Sequence, residues 1–593
     1  MGFRAISAVL AAAVVWALSG GAALADCTLG MIAELPVTMH GHTPTITVKI
    51  NSADAHLGVD TGSVANVLSP GGAAKYKLHQ SALPFGFEVH AVGGQTMDVY
   101  LGTADNFTIA GSTFHSVQFL VTDKGLGGQA GFLGEQFLRV ADVEYDLANG
   151  VVRLFKPRGC DNANLAYWAS SQQPYSVIGM GYQDPNNPLI TGAAAINGQH
   201  VRVIFDTGAA GSVLTLGAAA RAGVKPTDPN VVASSYTVGA TQRSYLRSWI
   251  APFSSFKIGD EEIKNFKMRI GDLGIGADML LGADFFLAHR VLVSNSQHKI
   301  YFTYNGGPVF DMTMAPSKAP DTPQEAAGAP GLAPPPEIMD ADAYSRHAAA
   351  LASRRDFDGA IADLTHAIQL APTEPRYLYE RAMVHRAHLQ PRMVMDDLNQ
   401  ALTLKPDYIP ALLARAWAYD FRKEYPQGRA DLDAADKAAA KDPDARLVIA
   451  VAYTRANFEP EAIAELDQWI DAHPKDDNLP QALNDRCWLH AMRGEMLDKA
   501  LADCNLALRL LSGDPGILES RGLVHLRLGQ FDKAISDYNG ALNLRSKSAW
   551  GLYGRGLAEL KKGMKTEGDA DIAGAKAASP TIADEAAKRG LTP

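Results

Sequence analysis

The sequence predicts a multidomain chain in which an all-β unit of two similar lobes precedes an all-α helical solenoid. From Thr28 to about Tyr304, short runs alternate apolar and polar residues between Gly, Asn and Asp, a pattern typical of strands. From Asp340 onward, Ala, Leu, Arg and Asp dominate and apolar positions recur at helical spacing. Each part also repeats internally, and 593 residues exceed what one hydrophobic core holds.

The β-rich part contains two copies of one lobe. The hexapeptide GVDTGS at residues 58–63 recurs as IFDTGA at residues 204–209. Gly93 follows Asp60 at the same separation as Gly239 follows Asp206 (93 − 60 equals 239 − 206). Further on, FLGEQF at 132–137 and LLGADF at 280–285 place Gly134 and Gly282 at nearly equal separations from the same two aspartates.

The C-terminal part repeats with a period of roughly 34 residues. Prolines such as Pro372, Pro406 and Pro474 end the second helix of each unit, so each unit is predicted to be a helix hairpin. We expect six or seven units, the third and fourth irregular. Small residues that let paired helices approach closely recur at Ala348, Ala382, Ala416, Cys487, Gly522 and Gly556.

The first residues have the pattern of a signal peptide. Arg4 precedes an apolar run at residues 5–19, and Ala23-Leu24-Ala25 forms a small-residue cleavage site. We expect the mature chain to begin at Asp26 and to be exported, to the periplasm or as a secreted protein. A retained membrane anchor and lipidation of Cys27 are the alternatives.

These patterns predict five segments: a signal peptide at 1–25, a first lobe at 26–160, a second at 161–310, a Pro/Ala-rich linker at 311–340 and helical repeats at 341–590. A net charge of −10 without a run of Lys or Arg argues against a nucleic-acid partner. No second long apolar stretch follows the leader, so we expect no stable membrane insertion.

Four cysteines in an exported chain permit disulfides. Three pairings are possible, and the economical one joins Cys27 to Cys160 and Cys487 to Cys504. Four buried thiols are the alternative. Their spacing does not suggest a metal site.

One Asp-Thr-Gly triplet is weak evidence, because chance produces one in roughly one chain in ten of this length. Two triplets with matched downstream landmarks are strong evidence. The segment from about Leu29 to Tyr304 resembles retropepsin-type aspartic peptidases in their bacterial single-chain form, which implies an acid-protease fold. The resemblance implies that Asp60 and Asp206 are the catalytic pair, that both come from one chain, and that no cofactor or metal is needed.

The neighbouring residues suit supporting roles in the two catalytic loops. Thr61 and Thr207 can hydrogen-bond to fix each loop, while Gly62 and Gly208 permit close backbone approach. Ser63 can donate a hydrogen bond to Asp60, whereas Ala209 cannot do so for Asp206. We therefore expect Asp60 to be the more acidic member of the pair.

The resemblance also assigns roles to glycines downstream of the loops. Gly93, Gly94 and Gly239 correspond to tips of flaps that close over substrate, with ordinary tight turns as the alternative. Gly134 and Gly282 correspond to a structural element that packs beneath the active loops.

The helical part resembles tetratricopeptide repeats, which implies a protein partner or substrate in addition to the peptide that is cleaved. The predicted function is therefore an exported aspartic endopeptidase whose repeats recruit a protein. An exported peptide-binding adaptor without catalysis is the alternative.

Overall fold

The computed structural model describes residues 27–83, 89–90, 96–123, 125–126, 128–170, 174–181, 188–238, 245–310 and 340–593. The predicted signal peptide, nearly all of the predicted linker, and Gly93, Gly94 and Gly239 lie outside these residues.

The first lobe is a sheet structure with two short helices. Its strands alternate as the sequence predicts: in Thr43–Ile50 the side chains of Ile46, Val48 and Ile50 are buried, while Thr47 and Lys49 are exposed. The strands are β1 Thr28–His40, β2 Thr43–Ile50, β3 Ala53–Val59, β4 Val67–Leu68, β5 His79–Ala82, β6 Val89–His90, β7 Thr96–Met97, β8 Val99–Ile109, β9 Ser112–Thr122, β10 Gly131–Leu133, β11 Asp142–Asp146 and β12 Val151–Arg158, and the helices are α1 Pro70–Lys75 and α2 Glu135–Leu138.

The second lobe repeats this plan, and one sheet joins the two lobes. Strand β11 of the first lobe pairs antiparallel with β21 of the second, with Val143 opposite Val293. One hydrophobic core runs through both lobes. The strands are β13 Ser176–Gly179, β14 Thr191–Ile196, β15 Gln199–Phe205, β16 Val213–Thr215, β17 Val232–Val238, β18 Tyr245–Ile258, β19 Glu261–Gly271, β20 Met279–Leu281, β21 His289–Ser294 and β22 Lys299–Tyr304, and the helices are α3 Leu216–Arg221 and α4 Ala283–Ala288.

Seven helix pairs and a final short helix form the C-terminal solenoid. The small residues predicted at the helix contacts are buried, as at Ala382 and Cys487. The fourth pair is irregular, as expected, because a 3-10 turn at Pro443–Ala445 precedes its shortened first helix. The third pair, also expected to be irregular, has two full-length helices. The helices are α5 Ala341–Ser353, α6 Phe357–Leu370, α7 Pro375–Ala387, α8 Pro391–Leu404, α9 Ile409–Phe421, α10 Tyr425–Ala439, α11 Arg446–Arg455, α12 Glu459–Ala472, α13 Leu479–Arg493, α14 Leu497–Leu510, α15 Pro515–Arg527, α16 Phe531–Leu544, α17 Ala549–Lys561, α18 Lys565–Ala578 and α19 Ile582–Ala587.

A ladder of ion pairs runs along the solenoid. In most units an Arg of the first helix binds an Asp of the second helix with two hydrogen bonds, and its remaining nitrogen reaches the preceding unit. Arg521, for example, donates to both carboxylate oxygens of Asp537 at 2.8 and 2.7 Å and to Asn505 Oδ1 at 3.0 Å. The other ion pairs of this form are Arg381–Asp397, Arg415–Asp431, Arg486–Asp503 and Arg555–Asp571.

Both expected disulfides are present. Cys27 is bonded to Cys160, which ties the start of β1 to the end of the first lobe, and Cys487 is bonded to Cys504 between α13 and α14. The pairing uses the Cys27 sulfur that lipidation would require. Among the described residues, no helix combines the length and apolar character needed to cross a bilayer.

Candidate active site

Two matching loops place Asp60 and Asp206 together at the junction of the lobes. Each aspartate directly follows a strand, β3 or β15, that pairs in parallel with the short strand β10 or β20. The backbone N–H of Asp60 donates to the Leu133 carbonyl at 3.0 Å, and that of Asp206 donates to the Leu281 carbonyl at 2.8 Å. Each loop is therefore fixed at its first residue by the same element of its own lobe.

The two threonines lock the loops to each other across the lobe boundary. Thr61 Oγ1 donates to the Phe205 carbonyl at 2.7 Å and accepts from Thr207 N at 3.0 Å. Thr207 Oγ1 donates to the Val59 carbonyl at 2.7 Å and accepts from Thr61 N at 3.1 Å. Sequence reasoning expected each threonine to act within its own loop, but the structure uses both to join the lobes.

The triplet glycines bring the two carboxyl groups into contact. Gly62 packs against the Asp206 carboxyl and Gly208 against that of Asp60, so closely that a Cβ at either position would overlap the carboxyl group. The two carboxyl groups are hydrogen-bonded to each other. Burial raises the pKa of both, and the Asp206 charge raises that of Asp60 further. Two carboxyl groups in contact do not both ionise readily, so the pair can share one proton.

One more backbone donor faces Asp206 than Asp60, so the structure does not support the expectation that Asp60 is the more acidic member. Ser63 Oγ donates to the Ala65 carbonyl at 2.8 Å, because the loop turns its side chain away from Asp60. Backbone N–H groups serve both carboxyl groups. Gly62 N donates to Asp60 Oδ1 at 2.9 Å, while Asp206 Oδ1 accepts from Gly208 N at 2.9 Å and Ala209 N at 3.1 Å. These donors partly offset the rise in the pKa of both aspartates due to burial.

Gly134 and Gly282 lie directly under the two loops. A Cβ at Gly134 would overlap the Ala65 carbonyl, and one at Gly282 would lie 2.6 Å from the backbone carbon of Gly211. Their N–H groups donate to Asn66 Oδ1 at 3.1 Å and Ser212 Oγ at 3.0 Å.

Sequence reasoning missed the polar residues of this support layer. Asn66 and Ser212 follow the aspartates of their lobes at the same separation (66 − 60 equals 212 − 206), so the repeat itself carried the signal. Asp284 accepts from both the N–H and the hydroxyl of Ser212, at 2.9 and 2.7 Å, and burial raises the pKa of Asp284 to about 6.

Glu135 is a second buried acid beneath the site. It is 1% exposed, and its Oε1 has no hydrogen-bond partner among the described residues. Burial raises the pKa of Glu135 to about 8, so its carboxyl group is protonated and neutral at acidic and neutral pH. In the described part of the chain, no group of three His, Cys, Asp or Glu residues could hold a metal ion.

Comparison with known families agrees with this geometry. Each lobe matches the family of aspartyl proteases. The matched residues are 46–137 and 193–285, so each match contains one Asp-Thr-Gly loop and the glycine beneath it. A comparison with curated proteins found no significant match.

Solved structures resemble the helical part of the chain. A tetratricopeptide repeat protein from Parabacteroides merdae aligns with 42% of this chain and 98% of its own, at 16% identity and a TM-score of 0.34. YrrB, described as a TPR protein with an unusual peptide-binding site, aligns with 32% of this chain and 97% of its own, at 16% identity and a TM-score of 0.28.

Proposed function

We propose that the protein is an exported aspartic endopeptidase that hydrolyses peptide bonds with Asp60 and Asp206. The observation that carries the proposal is the pair of hydrogen-bonded, buried carboxyl groups on two loops locked together by Thr61 and Thr207. Two carboxyl groups that share one proton supply a general base and a general acid at the same point.

We assign the role of base to Asp206 and that of acid to Asp60 in the first step, because Asp206 accepts one backbone hydrogen bond more. Asp206, as the carboxylate, takes a proton from a water molecule held between the two groups. Asp60, as the acid, donates its proton to the carbonyl oxygen of the scissile bond while the water oxygen bonds to the carbonyl carbon. The product of this step is a neutral tetrahedral diol. As the C–N bond breaks, Asp206 donates its proton to the leaving nitrogen and Asp60 takes a proton from one diol hydroxyl, which restores the starting pair. The flap roles of Gly93, Gly94 and Gly239 remain part of this proposal.

We further propose that the solenoid recruits a protein substrate or partner. A groove of about 510 Å³ lies between the second, third and fourth helix pairs. Its lining includes the aromatic residues Tyr379, Trp417 and Phe458 together with Arg386 and Arg455. Aromatic rings beside cationic groups suit the side chains and backbone of an extended peptide.

The experiment is cleavage of a diverse peptide library from pH 4 to 7 by the full mature chain, compared with Asp60→Asn and Asp206→Asn. We expect each substitution to abolish cleavage, because either leaves the pair without a base or without its shared proton. Asp54→Asn is the matched control: Asp54 lies on the same strand as the Asp60 loop but forms an exposed ion pair with Lys49. Peptide binding without cleavage by the wild type would instead favour the adaptor function.

A further inference from the structure

Among the described residues, the solenoid contacts the peptidase lobes at two separate places. At the first, α5 packs on the lobes: Ala350 is part of their core, Ser353 Oγ donates to the Gly41 carbonyl at 2.6 Å, and Arg354 donates to the Gly306 carbonyl at 2.5 Å. The second contact comes from the loop between α12 and α13, at residues 473–478. Four helix pairs span the distance between these two contacts.

The second contact is made by one carboxylate. Asp477 Oδ1 accepts from the backbone N–H of Gly71 at 3.1 Å. Within its own loop, the neighbouring Asp476 stabilises the turn, since its Oδ1 accepts from Asn478 N at 2.8 Å. The Asp477 carboxylate is thus directed at the first lobe.

Two glycines make room for this loop. A Cβ at Gly71 would lie 2.8 Å from Asp477 Oδ2 and 2.9 Å from its backbone nitrogen, and a Cβ at Gly125 would lie 3.4 Å from the Asp477 Cβ. A side chain at position 71 would therefore push the loop away. On the side of the lobe, the contact is therefore made by backbone atoms and not by side chains that could adapt.

The contacted segment leads directly to the catalytic loop. Both the N–H and the hydroxyl of Ser69 donate to the Ala130 carbonyl, at 3.0 and 3.1 Å. Ala130 precedes β10, whose Leu133 carbonyl accepts from Asp60 N. The next residue after Gly71, Gly72, donates its N–H to Ser69 Oγ at 2.9 Å. Asp477, the turn at residues 69–72, Ala130 and β10 therefore form a continuous path from the solenoid to Asp60.

At the equivalent position of the second lobe, the described residues offer no such support. Gly217 follows Asp206 at the same separation as Gly71 follows Asp60 (217 − 206 equals 71 − 60). The nearest atom that a Cβ at Gly217 would meet is 4.0 Å away and belongs to Arg221 of the same lobe. The contact with the solenoid therefore makes the two lobes unequal on the side of Asp60.

We propose that Asp477 is a positioning residue of the peptidase, through which the solenoid holds the segment of the first lobe that orients Asp60. The inference rests on the proposed function and extends it: the repeats are part of the catalytic unit as well as a recruitment surface. Because the solenoid is fixed at α5 and at Asp477, a change of its curvature between these points is transmitted to the first lobe.

The test compares Asp477→Ala, Asp477→Asn and Gly71→Ala in the full mature chain, with Gly217→Ala as the matched control in the second lobe. We expect Asp477→Ala and Gly71→Ala to speed amide hydrogen exchange in residues 69–75 and 128–133 by about tenfold, since the segment loses its outer support. We expect kcat to fall by about three- to tenfold with little change in KM, the pattern of a disturbed catalytic group rather than of lost recruitment.

Asp477→Asn keeps an acceptor for Gly71 N–H and should restore most of kcat, and Gly217→Ala should match the wild type. An unchanged kcat in both Asp477→Ala and Gly71→Ala would overturn the inference, and so would a fall in kcat of equal size in Gly217→Ala. If the wild type cleaves nothing, the proposed function fails, and hydrogen exchange alone then decides whether Asp477 holds the first lobe.

Discussion

At the scale of single residues, Glu135 shows how burial alone changes the pH dependence of folding. Its pKa is about 8 in the folded protein against 4.5 for an exposed glutamate. Between these values the unfolded chain loses a proton that the folded chain keeps. The contribution of the protonated Glu135 carboxyl group to the free energy of unfolding is therefore fully present below pH 4.5 and is lost as the pH rises to about 8.

Glu135→Gln should remove this loss because glutamine is neutral at every pH. We expect the free energy of unfolding to rise by on the order of 3 kcal/mol at pH 7 and to stay unchanged at pH 4. Urea unfolding at both pH values measures the difference, with the exposed Glu262→Gln as control. A variant that is equally destabilised at both pH values would show that the Glu135 carboxyl is ionised and paired.

The sequence singles out the two aspartates because repetition marks them, but it could not show how they are held. Asp60 and Asp206 stand out as two copies of one motif with equal offsets to later glycines. The bonds between Thr61 and Thr207 join residues 146 positions apart, and only the folded lobes bring them together. The rotamer of Ser63 is likewise set by a loop turn that composition does not reveal.

At the scale of elements, the ion-pair ladder determines how well successive helix pairs stack. Arg521 and Asp537 are 25% and 8% exposed, so removing the arginine leaves a mostly buried carboxylate unpaired. We expect Arg521→Met to lower the free energy of unfolding by about 2 kcal/mol, less than for a fully buried pair because of solvent screening.

The double variant Arg521→Met/Asp537→Leu should recover most of that loss, since it leaves no charge without a partner. Urea unfolding of Arg521→Met, Asp537→Leu and the double variant completes a double-mutant cycle, which measures the interaction of the two side chains. Lys441→Met is the control, because its ion pair with Asp407 is exposed. Equal losses in Arg521→Met and Lys441→Met would mean that the ladder contributes no more than a surface pair.

The same elements show which features of the solenoid a sequence reveals. The repeat period predicted helix pairs and the irregular fourth unit, because small residues and prolines recur in register. The ion-pair ladder also left a signal in the sequence, because Arg381 and Arg415 have the same separation as Arg521 and Arg555 (415 − 381 equals 555 − 521). The contact of Asp477 with Gly71 could not be seen in the sequence, because it joins residues 406 positions apart, one in the solenoid and one in the first lobe.

At the scale of the whole molecule, the disulfides connect the fold to the compartment in which it forms. The bond between Cys27 and Cys160 closes a loop of 133 residues, and that between Cys487 and Cys504 closes one of 17. Loop-closure entropy gives upper limits of about 5 and about 3 kcal/mol for the two bonds. The first bond should therefore contribute more to stability, and it acts on the lobes that carry the two aspartates.

Replacing both Cys27 and Cys160 by Ser should lower the urea midpoint of the β-rich part more than that of the solenoid. Tryptophan fluorescence of Trp168 and Trp249, isolated by replacing the remaining tryptophans with Phe, follows the lobes, and far-ultraviolet circular dichroism follows the helices. Reducing agent should produce the same shift in the parent protein and none in the lobes of the double variant, because that variant has no bond there to reduce. A parent protein whose lobes unfold at the same urea concentration with and without reductant would show that the bond adds nothing to the peptidase fold, and would remove one reason to expect that it matures outside a reducing cytoplasm.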